Sequence, residues 1–329
     1  MKIFIVASAP QSLTNFRGPL LKRLVALGHE VTALAPAIKA GDTANELRSI
    51  GVQVLNVPLR RTGMNPISDL QTLVVLSFVF IRYKPDLVFA YTAKPVIYSL
   101  LAAILARVPR RTAMITGLGF SFGSQAGWVG RVTRILYRFA LKHAHAVVFQ
   151  NPDDLEEFVS EELVPATNTW IVKGSGVDLD KYQPAPLPSG PTTFLLIARL
   201  IQDKGIEEFV AAARLMQKRA TDLRFIIVGP FDSNPRSISP TSMQTWVDER
   251  IIEYAGAVAD VRPLLRECHV YVLPSYYREG TPRTVLEAMA TGRAIITTDA
   301  PGCRETVEHG RNGFLIPVRD PAALADAMF

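Results

Sequence analysis

Cysteine is scarce. The 329 residues hold only Cys268 and Cys303, which form neither a metal-ligand spacing nor a disulfide framework and fit a reducing cytoplasm. Long apolar runs are lacking too: the most apolar stretch, Leu73 to Ile81, is far short of the ~20 residues that span a bilayer. The chain opens Met-Lys-Ile-Phe-Ile-Val and passes straight into a strand, without the layout of a signal peptide. These absences predict a cytoplasmic protein, either soluble or held at a membrane surface. The pattern G-x-G-x-x-G does not follow the first strand, where the text is SAPQSLTNFRGPL, so nicotinamide binding there loses its best support. No internal repeat or low-complexity tract is present.

What is present is an ordinary globular composition, 48 % hydrophobic and 20 % charged, in a chain of roughly two domains. The net charge of +6 is unevenly held. Residues 1–180 carry 19 Lys+Arg against 13 Asp+Glu, whereas residues 181–329 carry 17 of each. Within 60–142 twelve basic residues face only Asp69 and Asp86. Such a region suits nucleic acid, an anionic membrane face or a phosphorylated substrate, and it is also compatible with a plain solvated surface. Aromatics are not interleaved with these cations in a stacking pattern, which argues against nucleic acid.

Short apolar runs alternate with helix-length amphipathic segments. Strands are expected at Lys2–Val6, Glu30–Leu34, Val52–Val57, Asp86–Ala90, Arg111–Ile115 and His145–Phe149, their continuous apolar character marking buried parallel strands. Helices fit near 17–27, 67–83, 95–106, 128–142 and 152–159. The stretch 181–191, KYQPAPLPSGP, has four prolines and a glycine and reads as a linker. The rhythm then restarts, with strands at Thr193–Ala198, Arg224–Val228, Glu253–Tyr254, Val270–Leu273 and Ala294–Thr297, and helices near 206–218, 260–267, 283–291 and 304–308. The expected fold is α/β, two Rossmann-like doubly wound parallel-sheet domains, 1–180 and 192–329, facing a ligand cleft at the carboxyl ends of their strands. Because the sequence stops at Phe329, inside a helix that starts after Asp320-Pro321, the second domain is expected to be truncated.

Two features carry chemistry. Arg199 ends one strand and Lys204-Gly205 opens the next helix, so two cations and free helix-terminal N–H groups converge where a diphosphate would fit; a surface Arg and Lys beside a turn glycine is the plainer alternative. The second feature is EGTPRTVLE, residues 279–287, after the turn Pro274-Ser275. It places Glu279 in a loop and Glu287 in the following helix. N–H groups of Gly280 and Thr281 would face a phosphate, Glu287 could accept both hydroxyls of a ribose, and Glu279 could hold sugar hydroxyls.

Taken together, IARLIQDKG (197–205), FIIVG (225–229), YAGAVADVRPLL (254–265), VLPSYYREGTPRTVLEAMATGRAII (272–296) and GRNGFLIPV (310–318) resemble glycosyltransferase family 4, retaining enzymes of the GT-B architecture. The family's two glutamates separated by seven residues are matched by Glu279 and Glu287. The resemblance implies that Arg199 and Lys204 bind the donor diphosphate, Glu287 the ribose, Glu279 the donor sugar, and backbone near Val258 the base. In the first half, YTAKPVIYS (91–99), TGLGFSF (116–122) and FQNPDDLEEF (149–158), with VGPFDSNPRSIS (228–239) in the second, look like the bacterial transferases that add GalNAc or galactose to undecaprenyl-diphosphate-linked sugars.

That likeness implies transfer of a hexose or N-acetylhexosamine from a UDP-sugar to a lipid-linked glycan in surface polysaccharide or glycoprotein-glycan assembly, with no cofactor and no metal needed for chemistry. Many family members place a histidine after the fifth strand; here the loop reads Thr116-Gly117-Leu118-Gly119, so sugar contacts fall to backbone at Gly117 or to Thr116. Gly18 is expected to bring backbone near the donor phosphate, and Asn15, Arg17 and Lys94 to meet the acceptor, the first three residues preceding a helix N-terminus. Along 128–142 the apolar residues Trp128, Val132, Ile135, Leu136 and Phe139 form one stripe, flanked about 115° away by Arg131, Arg134, Arg138 and Lys142. Such a helix either packs its stripe on the sheet or lies on an anionic bilayer at the inner face of the plasma membrane. A nucleotide-sugar epimerase or a non-catalytic nucleotide-sugar-binding protein would share the architecture.

Overall fold

The computed structural model describes residues 1–60, 65–122 and 127–329, apart from the side chains of residues 120 and 121. Arg61 and the rest of 61–64 and 123–126, all within the basic region, lie outside the described residues. The chain divides into two compact units, Met1–Ser175 and Gly176–Phe329.

The first unit runs β1 (Lys2–Val6), α1 (Gln11–Ala26), β2 (Glu30–Ala35), α2 (Asp42–Ser49), β3 (Gln53–Asn56), α3 (Pro66–Tyr83), β4 (Leu87–Tyr91), α4 (Ala93–Leu105), β5 (Arg110–Met114), α5 (Gly127–Leu141), β6 (Ala146–Phe149), α6 (Pro152–Ser160) and β7 (Thr169–Ile171). Its seven strands are parallel in the order β3-β2-β1-β4-β5-β6-β7. One apolar cluster joins the sheet to α3, α4, α5 and α6, and a second joins its other face to α1 and α2. Strands buried on both faces explain the continuous apolar runs. At the starts of α3 and α6, Asn65 and Asn151 accept from two or one N–H groups of the first turn, each just ahead of a proline whose absent N–H costs nothing there.

The second unit runs β8 (Thr192–Ile197), α7 (Ile206–Gln217), β9 (Leu223–Val228), α8 (Pro240–Asp248), β10 (Glu253–Tyr254), α9 (Arg262–Glu267), β11 (Val270–Leu273), α10 (Arg283–Ala290), β12 (Ala294–Thr298), β13 (Gly313–Ile316) and α11 (Pro321–Met328). The six strands are parallel in the order β10-β9-β8-β11-β12-β13. The proline-rich stretch is pinned to this unit: Ala185 N donates to Thr291 O at 3.1 Å, and Arg293 Nη2 donates to the carbonyls of Ala185 and Pro186 at 2.7 and 3.0 Å.

In both sheets the strand order reverses once, between β1 and β4 and between β8 and β11, and the loops leaving those strands' carboxyl ends diverge to leave a binding crevice. Several elements differ from the sequence expectation. The short α2, α8, β7 and β13 were not anticipated, being brief and, for β7, exposed at Trp170 and Ile171. The helix expected over 304–308 is a single 3-10 turn, Arg304–Thr306.

Candidate functional site

At the β8/β11 switch point the second unit gathers most of the predicted donor residues. Gly205 closes a 3-10 turn, Gln202–Lys204, with φ +74°, and a Cβ there would meet the carbonyl oxygen of Pro274 at 2.1 Å. Only glycine lets the loop after β8 pass so close to the loop after β11. The two loops are then stitched at one atom: the carbonyl of Asp203 accepts from the N–H groups of Tyr276 and Tyr277, both at 2.9 Å, and from Ser275 Oγ at 3.2 Å. This is what brings Lys204 to Glu279. The two side chains form an ion pair, each about one-eighth exposed, and Ser275 Oγ adds a hydrogen bond to the same Glu279 oxygen at 3.2 Å. Gly205→Ala is expected to destabilise the fold by roughly 2–5 kcal/mol, from left-handed backbone strain and steric overlap. Urea unfolding checks this, and a loss under about 1 kcal/mol would mean that the loops do not need this approach.

Arg199 extends from the end of β8 and donates through Nη1 to Asp232 Oδ2 at 2.7 Å, with its guanidinium 5.9 Å from the ring of Tyr277. The Lys204 ammonium lies 5.2 Å from the same ring. Asp232 belongs to the loop after β9, which is also tied to the Arg199–Lys204 segment by Arg236–Asp203 at 2.7 Å and by Ser237 Oγ donating to Leu200 O at 3.0 Å. Both cations therefore have acidic partners and an aromatic platform between them.

Glu287 sits in the second turn of α10 and is 7 % exposed. Arg283 Nε lies 2.9 Å from its Oε1 and the Tyr182 hydroxyl hydrogen-bonds to it. Burial pushes the Glu287 carboxyl above the usual carboxylate range in spite of Arg283 and Tyr182, and burial followed by the Glu287 charge pushes the Tyr182 phenol to about 12. Gly280 and Thr281 lead into α10 just after Glu279. Gly302, at φ +82°, packs beneath this loop so closely that a Cβ would stand 2.5 Å from the Gly280 carbonyl and 2.6 Å from that of Glu279. Val258 follows β10 and packs in the same apolar cluster as Tyr182 and Leu264.

The structure thus brings Arg199, Lys204, Glu279, Gly280, Thr281 and Glu287 to the carboxyl edge of one sheet. It adds Asp203, Asp232, Tyr277, Tyr182, Arg283 and Gly302, which the sequence reading missed. The Arg283–Glu287 pair had a readable i,i+4 spacing; the others meet the site through loops far apart in sequence.

The first unit corrects several expectations. Asn15, Arg17 and Gly18 do not precede a helix: α1 starts at Gln11, so all three lie inside it. Gly18-Pro19 resembles a helix start, but Leu13, Arg17 and Leu21 are buried on one face and hold the helix through the hydrogen bond that Pro19 cannot donate. The Gly18 N–H lies beyond the first four that a helix leaves unpaired, so it is not poised for a phosphate. Arg17 is 3 % exposed; it donates to Ser175 Oγ at 2.8 Å and to Met114 Sδ at 2.9 Å, and stacks 4.7 Å from the ring of Tyr91. It braces the carboxyl edge of the sheet rather than presenting a free charge. Lys94 opens α4 and forms an ion pair with Asp69 at 2.6 Å. Thr116 and Gly117, the latter at φ +101°, do follow β5 at the carboxyl edge.

The stripe on α5 is split: Trp128, Ile135 and Phe139 are exposed, Val132 and Leu136 are half-buried with Leu136 packed against the core, and Tyr137, Ala140 and Leu141 on the opposite side are buried. Arg134 is absorbed by Glu161 at 2.5 Å, leaving Arg131, Arg138 and Lys142 along the exposed edge.

Comparison with known proteins gives the same division. Residues 16–173 match the model of the glycosyl transferase 4-like domain, and residues 191–329 that of the glycosyl transferases group 1. The chain is 29 % identical, over 99 % of its length and 88 % of the relative's, to the N,N'-diacetylbacillosaminyl-diphospho-undecaprenol alpha-1,3-N-acetylgalactosaminyltransferase of Campylobacter jejuni. It is 27 % identical, over 84 % of its length and 74 % of the relative's, to the UDP-Gal:alpha-D-GlcNAc-diphosphoundecaprenol alpha-1,3-galactosyltransferase of Escherichia coli. Among solved structures, Anabaena HepE in complex with UDP-glucose superposes with a TM-score of 0.73 at 20 % identity, covering 99 % of this chain and 88 % of that one. These likenesses show the GT-B fold.

Proposed function

We propose, for a chain that belongs to the glycosyl transferases of group 1 with a 4-like first half, that it moves a hexose or N-acetylhexosamine from a UDP-sugar to a hydroxyl of a polyprenyl-diphosphate-linked glycan, retaining the anomeric configuration. The observation that carries this reading is the gathering of two cations, Arg199 and Lys204, and two glutamates, Glu279 and Glu287, at a single strand switch point, with Lys204 paired to Glu279, Arg199 held by Asp232 and Glu287 by Arg283. An anionic diphosphate fits the cations and the first-turn N–H groups of α10. Glu287, fixed by Arg283 and Tyr182, offers acceptor oxygens to a ribose. The donor base is proposed to lie near Val258, and the acceptor to be met by the first unit.

UDP as the nucleotide is supported by the UDP-glucose complex of HepE, and a lipid-linked acceptor by the named substrates of the two relatives. In the reaction, negative charge grows on the leaving diphosphate and is stabilised by groups already in place, so most of the catalytic effect is electrostatic. The leaving phosphate takes the acceptor's proton as the new bond forms on the same face. We assign this chemistry to the chain's own cations, without a metal or cofactor, and place the enzyme at the cytoplasmic face of the membrane where such acceptors lie.

A thermal-shift screen of UDP-, GDP- and ADP-sugars, each with and without EDTA, tests the donor side. UDP-sugars are expected to raise Tm most, by mass action on the folded state, with EDTA leaving the shift unchanged. A larger shift with GDP- or ADP-sugars, or loss of the shift in EDTA, would overturn the corresponding assignment.

A further inference from the structure

Helix α3 is apolar on two opposite faces. Leu76, Val79 and Phe80 pack into the core beneath the sheet's helical layer. On the far side Ile67, Leu70, Val74, Phe78 and Ile81 fall within an arc of about 80° on the ~100° per residue wheel, and each is between 56 and 81 % exposed. A helix of a soluble domain carries polar residues on that side. Pro66–Tyr83 is the one helix, among the described residues, long and apolar enough to cross a membrane, yet its buried face ties it into the fold. Helix α5 repeats the arrangement, with Trp128, Ile135 and Phe139 exposed opposite its own buried face. Helices α3, α4 and α5 are built on one apolar cluster, so both stripes look outward from the same layer.

We infer that the outer faces of α3 and α5 together form a lipid-docking surface that seats the first unit on an anionic bilayer. Arg82 and Lys84 stand at the end of α3, and Arg131, Arg138 and Lys142 run beside the α5 stripe. Of the acidic groups nearby, Asp69 is paired with Lys94 and Glu161 with Arg134, so the exposed Asp86 and Glu162 are outnumbered by the five cations. An apolar band edged by cations matches the headgroup–acyl boundary of an anionic membrane, into which such a face sinks about 5–10 Å. The same charge row argues against a second copy of the chain as the occupant, because a two-fold interface would set these cations against themselves. The inference deepens the lipid-linked-acceptor reading, supplying the surface on which such an acceptor would be met, but its test uses no acceptor.

The experiment is cosedimentation of the full chain with phosphatidylglycerol–phosphatidylcholine vesicles and with pure phosphatidylcholine vesicles. Wild type is expected to pellet with the anionic vesicles and to be released by salt. The double variant V74E/F78E is expected to bind at least tenfold more weakly, and R131Q/K142Q roughly 20- to 30-fold more weakly, from the effect of two cations near the surface. Neither should change the melting temperature or the UDP-sugar thermal shift, since all four positions are outside the donor unit. Equal pelleting with both vesicle types, or V74E/F78E binding as wild type does, overturns the inference. So does a dimer in light scattering that V74E/F78E dissolves, which would assign the face to a second copy. Vesicle binding by a protein that, in a separate assay with a polyprenyl-diphosphate-linked glycan, transfers no sugar would leave the docking surface standing and remove the acceptor reading instead.

Discussion

Arg199→Ala is expected to lower kcat/KM for the UDP-sugar by about three orders of magnitude in a protein that still folds. The diphosphate gains charge as the glycosidic bond breaks, and removing one preorganised donor to such a charge typically costs 10²–10³ in rate. Here a second effect adds to the first. Asp232 sits 2.7 Å from the guanidinium, and without Arg199 its carboxylate would face the incoming anion uncompensated. The double variant R199A/D232N should therefore recover about tenfold of the loss, a non-additivity expected only when two groups share a site. Arg199→Lys should fall between, because a point charge on a flexible stem cannot hold Asp232 and a phosphate in the same forked geometry. Steady-state UDP release across the four proteins decides the matter. Activity of Arg199→Ala within about threefold of wild type would remove the diphosphate role from this residue.

The fold was largely legible because parallel strands covered on both faces leave long apolar runs that need no partner to be recognised. Nearly every such run is a strand, and each shifts by only a residue or two. The misses share a cause. β7 has little of its surface buried and β13 begins at Gly313, whose place is set by contact with Ile295 rather than by propensity. In the donor site the sequence order of cation, cation and glutamates was readable because a βα repeat delivers each strand's end to the same edge. What could not be read was the pairing across loops. The Asp203 carbonyl that stitches two loops, Gly302 beneath the Glu279–Gly280 peptide and Asp232 against Arg199 all depend on chain segments brought together only by the closed sheet. The first-half residues misled for the opposite reason. Asn15, Arg17 and Gly18 were chosen from local sequence, which does not show that α1 already begins at Gln11 or that Arg17 is buried as a brace.

Glu279 is the residue on which mechanism turns, and Glu279→Gln is expected to lower kcat about a hundredfold while donor KM stays level or falls. Its Oε1 accepts from both the Lys204 ammonium and Ser275 Oγ, and the peptide behind it is fixed by Gly302. A carboxylate drawn into two charge-stabilising contacts is a weakened nucleophile but a well-placed acceptor for a sugar hydroxyl. Removing its charge frees Lys204 to attract the diphosphate, so ground-state donor binding gains while alignment of the anomeric carbon is lost. The same change strips a mostly buried cation of its partner, and a loss of roughly 3 kcal/mol or more in stability should accompany it. A drop in KM together with kcat is the signature of an orienting role. A nucleophile predicts something else: a covalent glycosyl adduct on Glu279 by mass spectrometry, and rescue of Glu279→Ala by azide to give a glycosyl azide of opposite configuration. Either result would replace same-face transfer by double displacement. Their joint absence, with Glu279→Gln retaining measurable retaining transfer, leaves the leaving phosphate as the base and the Lys204–Glu279 pair as the device that sets the sugar against it.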